Sequence, residues 1–162
     1  MTEHGWTPRK RPTGLVKWFA QAPKWLYRAR LGFVFGSRIL VLEHEGRTSG
    51  KVFQTPLEVA HHDPERDQYV ICSGFGSKAD WYRNLQANQD VAVWLGSRRY
   101  PATARFLRTE EAVEAMKEYE RKHPKAAAKL ESYMGVSHDE TDESWLAMME
   151  KIPMVGLTPR RS

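Results

Sequence analysis

The hydrophobic positions of residues 37–108 predict a series of short β-strands. Apolar or alternating runs bounded by turn residues are typical of strands, and five such runs occur, at 37–46, 51–62, 68–75, 90–96 and 99–108. Three of the four links between them are too short for the crossover that parallel strands require. We therefore expect antiparallel hairpins that form a small barrel or sandwich. Only the link at 76–89 is long enough for a helix, with Asp80 as its N-cap.

Helical spacing dominates residues 109–151, before a closing strand at 152–159. Thr109 is predicted to cap the first helix, Pro124 to start a second and Gly135 to end it. A third helix is predicted over DESWLAMMEK, residues 142–151. This order of elements predicts an α+β protein with one domain over residues 14–159 and a tail at 160–162.

Residues 1–30 are basic and rich in tryptophan. They hold seven Lys/Arg against one acid, a net +6, whereas the other 132 residues hold 18 basic and 19 acidic groups, a net −1. We interpret residues 1–13 as a flexible arm and residues 14–30 as an amphipathic helical segment that Pro23 should kink. Such a segment could bind an anionic membrane surface or pack on its own domain, and both interpretations stay open. Basic charge confined to one segment disfavours a nucleic-acid partner.

Cysteine usage and apolar run length indicate a reducing compartment. Cys72 is the single cysteine, and it has no ligand partners at a familiar metal-binding spacing. No apolar run approaches the roughly 20 residues that span a bilayer, and the chain does not open on a signal-peptide pattern. We therefore expect a cytoplasmic protein without disulfides and without a metal centre.

Two glycine-rich segments resemble nucleotide-binding motifs but fail their requirements. Residues 74–79 spell Gly-x-Gly-x-x-Ala, yet the turn follows the third run of a hairpin series, and Trp94 stands where a Rossmann fold needs an acid. Residues 46–51, GRTSGK, have one residue too few between the glycines for a P-loop, and Val52 follows the lysine. What remains at 46–51 is a tight turn with cationic and hydroxyl side chains, whose glycine N–H groups could form an anion nest.

Three motifs in order resemble the deazaflavin-dependent nitroreductase family. They are GRTSG at 46–50, TPL at 55–57 and DWYRNLQAN at 80–88, and the resemblance covers residues 14–108 and, more loosely, 152–159. It implies a split β-barrel that uses coenzyme F420. The implied reaction is hydride transfer from the reduced deazaflavin to a small hydrophobic acceptor such as a quinone, enone or nitroaromatic. An FMN-using split-barrel reductase and a non-catalytic cofactor- or lipid-binding protein are the alternatives; the oligomeric state stays open.

The resemblance also implies the residues that contact the cofactor. The turn would hold the phosphate and acidic tail, the TPL strand and the segment after Ile71 would lie along the ring, and the DWY segment would close over it. The implied set is Arg47, Thr48, Ser49, Lys51, Phe53, Gln54, Thr55, Pro56, Leu57, Cys72, Ser73, Gly74, Phe75, Lys78, Asp80, Trp81, Tyr82 and Asn84. Thr48 and Phe53 stand where the family often has lysine and arginine, so Lys51 and Lys78 would have to compensate.

Four further expectations concern single positions. Tyr133 would donate a proton or hydrogen bond to the acceptor, which rests on the looser part of the resemblance. Pro56 interrupts a strand and is expected at a sheet edge or bulge. The EHE sequence at 43–45 is interpreted as a solvated strand edge, not a catalytic site. Cys72 is interpreted as a buried, unreactive thiol.

Overall fold

Antiparallel pairing closes six strands into a barrel in a computed structural model, which describes residues 39–73 and 76–161. The neighbours around the barrel are β1–β2–β3–β6–β5–β4, and β4 pairs back onto β1. The strands are β1 (Ile39–Glu45), β2 (Val52–Asp63), β3 (Gln68–Cys72), β4 (Asp90–Leu95), β5 (Arg98–Phe106) and β6 (Met154–Pro159). The antiparallel barrel predicted from the short links is confirmed. The predicted arm and amphipathic segment at 1–30 lie outside the described residues.

Helices fill the two longer connections of the barrel. They are α1 (Asp80–Ala87), α2 (Thr109–Lys122), α3 (Pro124–Met134) and α4 (Asp142–Lys151), with a short 3₁₀ helix, Gly76–Lys78, before α1. Gly135 ends α3 with a φ of +69°, as predicted. Two predicted caps are wrong by one residue, because Ala79 precedes α1 and Arg108 precedes α2 in the N-cap position. Within the described residues no helix is long and apolar enough to cross a bilayer.

The alternation of side chains along the strands separates two hydrophobic cores. One core fills the barrel and is closed at one end by α1; it includes Leu40, Leu42, Ile71, Trp81, Leu85, Val93 and Leu157. The other lies outside the barrel, between the outer faces of β3 and β6 and the helices α2 to α4; it includes Val70, Met116, Trp145, Ile152 and Met154.

The first half of β2 pairs on one side only within residues 39–73 and 76–161. Residues Val52–Glu58 pair with β1, whereas pairing with β3 begins at Val59 and passes through a bulge before His61. Pro56 lies in this half, opposite Val41 of β1. A proline cannot donate to a ladder and is tolerated at such an edge, so the predicted edge position of Pro56 is confirmed among the described residues. No strand of the described part of the chain pairs with residues 54–58 on the β3 side.

Asn84 joins α1 to the first hairpin. Its side chain is 4% exposed, and its Oδ1 accepts hydrogen bonds from the backbone N of Arg47 at 3.1 Å and from Arg47 Nη1 at 2.8 Å. Its Nδ2 lies 3.0 Å from His44 Nδ1. Because Oδ1 accepts from Arg47, the amide orientation is fixed and Nδ2 must be the donor to His44.

His44 continues this chain of hydrogen bonds to the second strand. With Nδ1 accepting from Asn84, its proton is on Nε2, which donates to Thr55 Oγ1 at 2.9 Å. Burial lowers the pKa of His44 to about 4, against a smaller opposite effect of Asp80, so the ring is neutral at pH 7. The interpretation of the 43–45 segment as a solvated edge is wrong for His44, which is 5% exposed. Thr55 and Asn84 thus meet at this histidine, and Arg47 joins them through Asn84, so the chain of hydrogen bonds links one residue from each motif.

The buried neutral histidine makes stability depend on pH. Its pKa is about 4 in the folded protein and 6.5 in the unfolded chain, so between these values the unfolded state binds more protons and stability falls as pH falls. The expected loss from His44 between pH 7 and pH 5 is about 2 kcal/mol. Urea unfolding at both pH values should show this loss in the wild type and in His61→Gln, and a smaller loss in His44→Gln. Equal pH dependence in all three proteins would contradict a buried neutral His44.

Candidate functional site

The GRTSG turn between β1 and β2 is closed by its own backbone. Gly46 N donates to Lys51 O at 2.7 Å, and Gly50 N donates to Gly46 O at 2.9 Å. Gly50 has a φ of +70°, and a Cβ on Gly46 would lie 2.6 Å from Ser49 Oγ and 2.8 Å from the Phe53 ring. Both glycine N–H groups are therefore engaged inside the turn. The predicted glycine anion nest is therefore wrong.

Two lysines near the turn offer further cationic donors. Across residues 39–73 and 76–161, Lys51 and Lys78 make no ion pair and are exposed. Ser49 Oγ accepts from Lys51 N at 3.2 Å and keeps its own hydrogen for donation. Lys78 ends the 3₁₀ helix two residues before Asp80, while Thr48 is exposed at the tip of the turn.

Arg47 is held by α1 and keeps donors for a ligand. Nη1 donates to Asn84 Oδ1 at 2.8 Å and to Asp80 O at 3.4 Å, and Nη2 donates to Asp80 Oδ1 at 2.9 Å. A guanidinium has five N–H donors, so two remain. The Arg47 side chain is 30% exposed and that of Asp80 is 34% exposed, so solvent reaches the pair.

Phe53 places an aromatic ring beside the cationic turn. The ring stacks on His44 with centroids 5.9 Å apart and is 38% exposed; the preceding Val52 is 60% exposed. At a position where the resembling family often has arginine, this chain therefore presents apolar surface.

The TPL segment alternates between the two faces of β2. Thr55 and Leu57 point toward the barrel interior, to His44 and to the apolar core respectively. Gln54 lies on the outer face and donates from Nε2 to Glu43 Oε2 at 3.0 Å. Its Oε1 is buried and accepts no hydrogen bond from any residue that the structure describes. Because the contact with the Glu43 carboxylate fixes the amide orientation, this oxygen cannot exchange places with the nitrogen.

Glu43 is the centre of a second buried polar network. Its carboxylate accepts from Trp94 Nε1, from Gln54 Nε2 and from Arg99 Nε, the last at 3.0 Å, and the residue is 9% exposed. Burial acts to raise the pKa of Glu43, but the three hydrogen bonds and the Arg99 charge together hold it below its ordinary value. The interpretation of residues 43–45 as a solvated edge is therefore also wrong for Glu43.

The sequence contained a signal for the burial of His44. Leu40, Leu42 and His44 are alternate residues of β1, so they lie on the same face of the strand.

Two residues assigned to the ring contacts, Ser73 and Trp81, are buried in the protein. Ser73 is fully buried; its N donates to Pro153 O and its Oγ donates to Gly76 O at 2.6 Å. Trp81 is 7% exposed in the barrel core and meets Tyr82 edge-on. Burial raises the pKa of the Cys72 thiol to about 12, as expected of an unreactive cysteine. Gly74 and Phe75 lie outside the described residues.

Tyr133 lies on the helical side of the protein, in α3. It is 40% exposed. Its assigned contact with the acceptor stays a prediction, as does cofactor contact by each member of the implied set.

A separate cluster of Glu120, Glu131 and His138 has ligand atoms close enough for a metal ion. His138 Nε2 lies 2.9 Å from Glu120 Oε2 and 3.7 Å from Glu131 Oε1, while its Nδ1 accepts from Glu140 N at 3.2 Å. The proton is therefore on Nε2, the atom that would have to bind the metal. The arrangement fits a hydrogen-bonded link between α2, α3 and the loop before α4 better than a metal site.

Comparison of the amino-acid sequence with known proteins agrees with the F420-dependent family that the three motifs resemble. The family model described as F420H(2)-dependent quinone reductase matches residues 24–139. The protein Rv3178 of Mycobacterium tuberculosis strain H37Rv, assigned by name as an F420H(2)-dependent quinone reductase, is 36% identical over 86 residues, which are 51% of this chain and 71% of that protein.

Solved structures agree with this assignment. An F420-H2 dependent reductase, FDR-A, is 25% identical with a TM-score of 0.50, over 74% of this chain and 93% of its own. A structure described as a domain-swapped dimer is also 25% identical, with a TM-score of 0.52 over 75% and 81% of the two chains. The predicted split β-barrel, the predicted class of oxidoreductase and the predicted cofactor, coenzyme F420, are thereby confirmed. With the family model matching most of its length, the chain belongs to the F420H(2)-dependent quinone reductase family.

Proposed function

We propose that this enzyme transfers a hydride from reduced coenzyme F420 to a quinone, and that enones and nitroaromatics are further acceptors. The bound deazaflavin supplies the hydride, and the protein binds it, orients it and excludes water. The observation that carries the proposal is the convergence of the three motifs on Asn84 and His44. This convergence sets a cationic turn beside the half of β2 that pairs only with β1 among the described residues.

The donors around the turn fit the charged part of the cofactor. Arg47 retains two N–H donors, Lys51 and Lys78 are unpaired within the described chain, and Ser49 can donate its hydroxyl hydrogen. A phosphate and a carboxylate tail are anionic acceptors that form short, charge-assisted hydrogen bonds with such groups. In this proposal Lys51 and Lys78 supply the positive charge that is absent at Thr48 and Phe53, where the family often has lysine and arginine.

In this proposal the flat ring lies along the first half of β2. Beside residues 54–58 no strand of the described chain pairs on the β3 side, and the ring would pair with the backbone polar groups there. The pyrimidine part of a deazaflavin carries amide-like N–H and C=O groups, which can pair with such an edge. The exposed Phe53 ring and Val52 add apolar surface next to it, consistent with a hydrophobic acceptor.

The charge of Arg47 should contribute directly to cofactor binding. Arg47→Ala is expected to weaken F420 binding by roughly 1–3 kcal/mol, and by more at low salt, because a charge-assisted hydrogen bond is lost. Fluorescence quenching gives the dissociation constant, and Arg66→Ala, at the opposite end of β2, is the matched control. Thermal unfolding of both variants separates binding from stability, since Arg47 also bonds Asn84. An unchanged dissociation constant across salt, or binding of FMN but not F420, would contradict the proposal.

Tyr133 is proposed to hydrogen-bond the acceptor oxygen that gains charge during transfer. Tyr133→Phe should then lower kcat with a quinone about tenfold, the value of one lost hydrogen bond, while the F420 dissociation constant stays unchanged. Stopped-flow oxidation of F420H2 by a quinone measures the step, and Tyr100→Phe, a tyrosine of β5, is the control. Wild-type kcat in Tyr133→Phe would remove this residue from the reaction.

Residues 1–30 are proposed to bind the anionic inner face of a membrane, where lipid-soluble quinones are found. The support is the sequence alone: a net +6 in this segment and several aromatic residues that favour the interface. Co-sedimentation with anionic vesicles should decrease in a deletion starting at Gly14 and be lost in one starting at Leu31. Equal sedimentation of the full chain and the two deletions, or no sedimentation of any of them, would show that residues 1–30 do not bind the membrane.

A further inference from the structure

Arg47 has two partners that differ in accessibility. Asn84 is 4% exposed and bonds both the backbone and the side chain of Arg47. Asp80 makes the only ion pair that Arg47 has in the described chain, at 2.9 Å, and both side chains of that pair reach solvent. The first partner fixes the position of the guanidinium, and the second occupies the side of it that a ligand can reach.

The exposed pair is weak enough to be exchanged. Ion pairs between solvent-accessible side chains contribute about 0–1 kcal/mol. A phosphate oxygen makes the same charge-assisted hydrogen bonds to a guanidinium as a carboxylate oxygen does. An incoming phosphate can therefore replace the Asp80 carboxylate on Nη2 without disturbing the Asn84 contact on Nη1.

We infer that the Asp80 carboxylate is an internal stand-in for the anionic group of the cofactor. It neutralises and orients Arg47 when no cofactor is bound, and it is displaced from the guanidinium when the cofactor binds. The inference rests on the proposed function of the turn as the site of the cofactor's phosphate. Asp80 then weakens cofactor binding because it competes for Arg47. A cofactor contact, the role predicted for Asp80 from the sequence, would instead strengthen binding.

The position of Asp80 in α1 gives the displaced carboxylate an alternative. Asp80 is the first residue of the helix, and the N-cap, Ala79, has no side chain that can accept from the first-turn N–H groups. A carboxylate in the first turn is stabilised by these N–H groups and by the helix dipole. Releasing Arg47 therefore does not leave Asp80 without favourable interactions, which keeps the cost of exchange low.

Competition of this kind has a consequence for turnover. Each hydride transfer leaves the cofactor oxidised, so a reduced molecule must replace it before the next transfer unless it is reduced in place. A carboxylate that can return to Arg47 shortens the lifetime of the bound cofactor. Removing its charge should therefore tighten binding and slow release, whereas a contact residue would show the reverse.

The test compares Asp80→Asn with a matched exposed pair elsewhere. Asp80→Asn should tighten binding of F420, and of inorganic phosphate as a competitor, by about two- to fivefold, the effect typical of an exposed ion pair. Stopped-flow dissociation of F420 should slow by the same factor, and the salt dependence of binding should steepen because Arg47 gains an unneutralised charge. Asp90→Asn removes an equal charge from the exposed Asp90–Arg160 pair, and it should leave all three quantities unchanged.

The outcomes separate this inference from the proposed function. If Arg47→Ala weakens F420 binding but Asp80→Asn leaves it unchanged or weaker, Asp80 does not compete with the cofactor for Arg47. The proposed cofactor site at the turn is then still supported. Equal tightening in Asp90→Asn would mean a general effect of net charge and would also overturn the inference about Asp80. If Arg47→Ala has no effect, the proposed phosphate site itself fails. Asp80→Ala, with thermal unfolding, checks that tightening in Asp80→Asn does not come from the new amide.

Discussion

The placement of the cationic turn depends on one buried amide, that of Asn84. Its oxygen faces two donors of Arg47 and its nitrogen faces an acceptor of His44, so only one orientation satisfies all of them. Each of these hydrogen bonds contributes about 1 kcal/mol net, but leaving a buried partner unsatisfied costs about 1–3 kcal/mol. The helix, the turn and the first strand are therefore coupled: moving any one of them breaks the others' hydrogen bonds.

A neutral histidine suits this position because it must accept on one side and donate on the other. A leucine would continue the apolar alternation of β1 but would leave both Asn84 Nδ2 and Thr55 Oγ1 without this partner. A protonated ring could not accept from Asn84. Burial keeps His44 neutral, so the charge at the junction is that of Arg47 and Asp80, which cancel.

Local sequence signals predicted the helices and strands. The features that these signals missed depend on partners that are distant in the sequence. Short links gave the antiparallel pairing, and Pro124 and Gly135 gave the bounds of α3, because loop closure and backbone conformation are local properties. The burial of Glu43 and His44 was missed because their partners are remote: Trp94 is 51 residues from Glu43, and Asn84 is 40 residues from His44. Polarity alone favours a solvated edge unless such partners are known. The glycine nest failed for a related reason, since the turn's own carbonyls took the N–H groups.

Side chains restrain the first half of β2, which pairs only with β1 among the described residues. On the inner face Thr55 is bonded to His44, and on the outer face Gln54 is bonded to Glu43, which Trp94 and Arg99 hold in turn. Both anchors come from β1, the strand that also pairs with the backbone of this segment. A strand held on both faces keeps its backbone groups in a defined direction. Under the proposed function, such preorganisation would lower the ordering cost of binding a flat ring, and both polar networks would contribute to it.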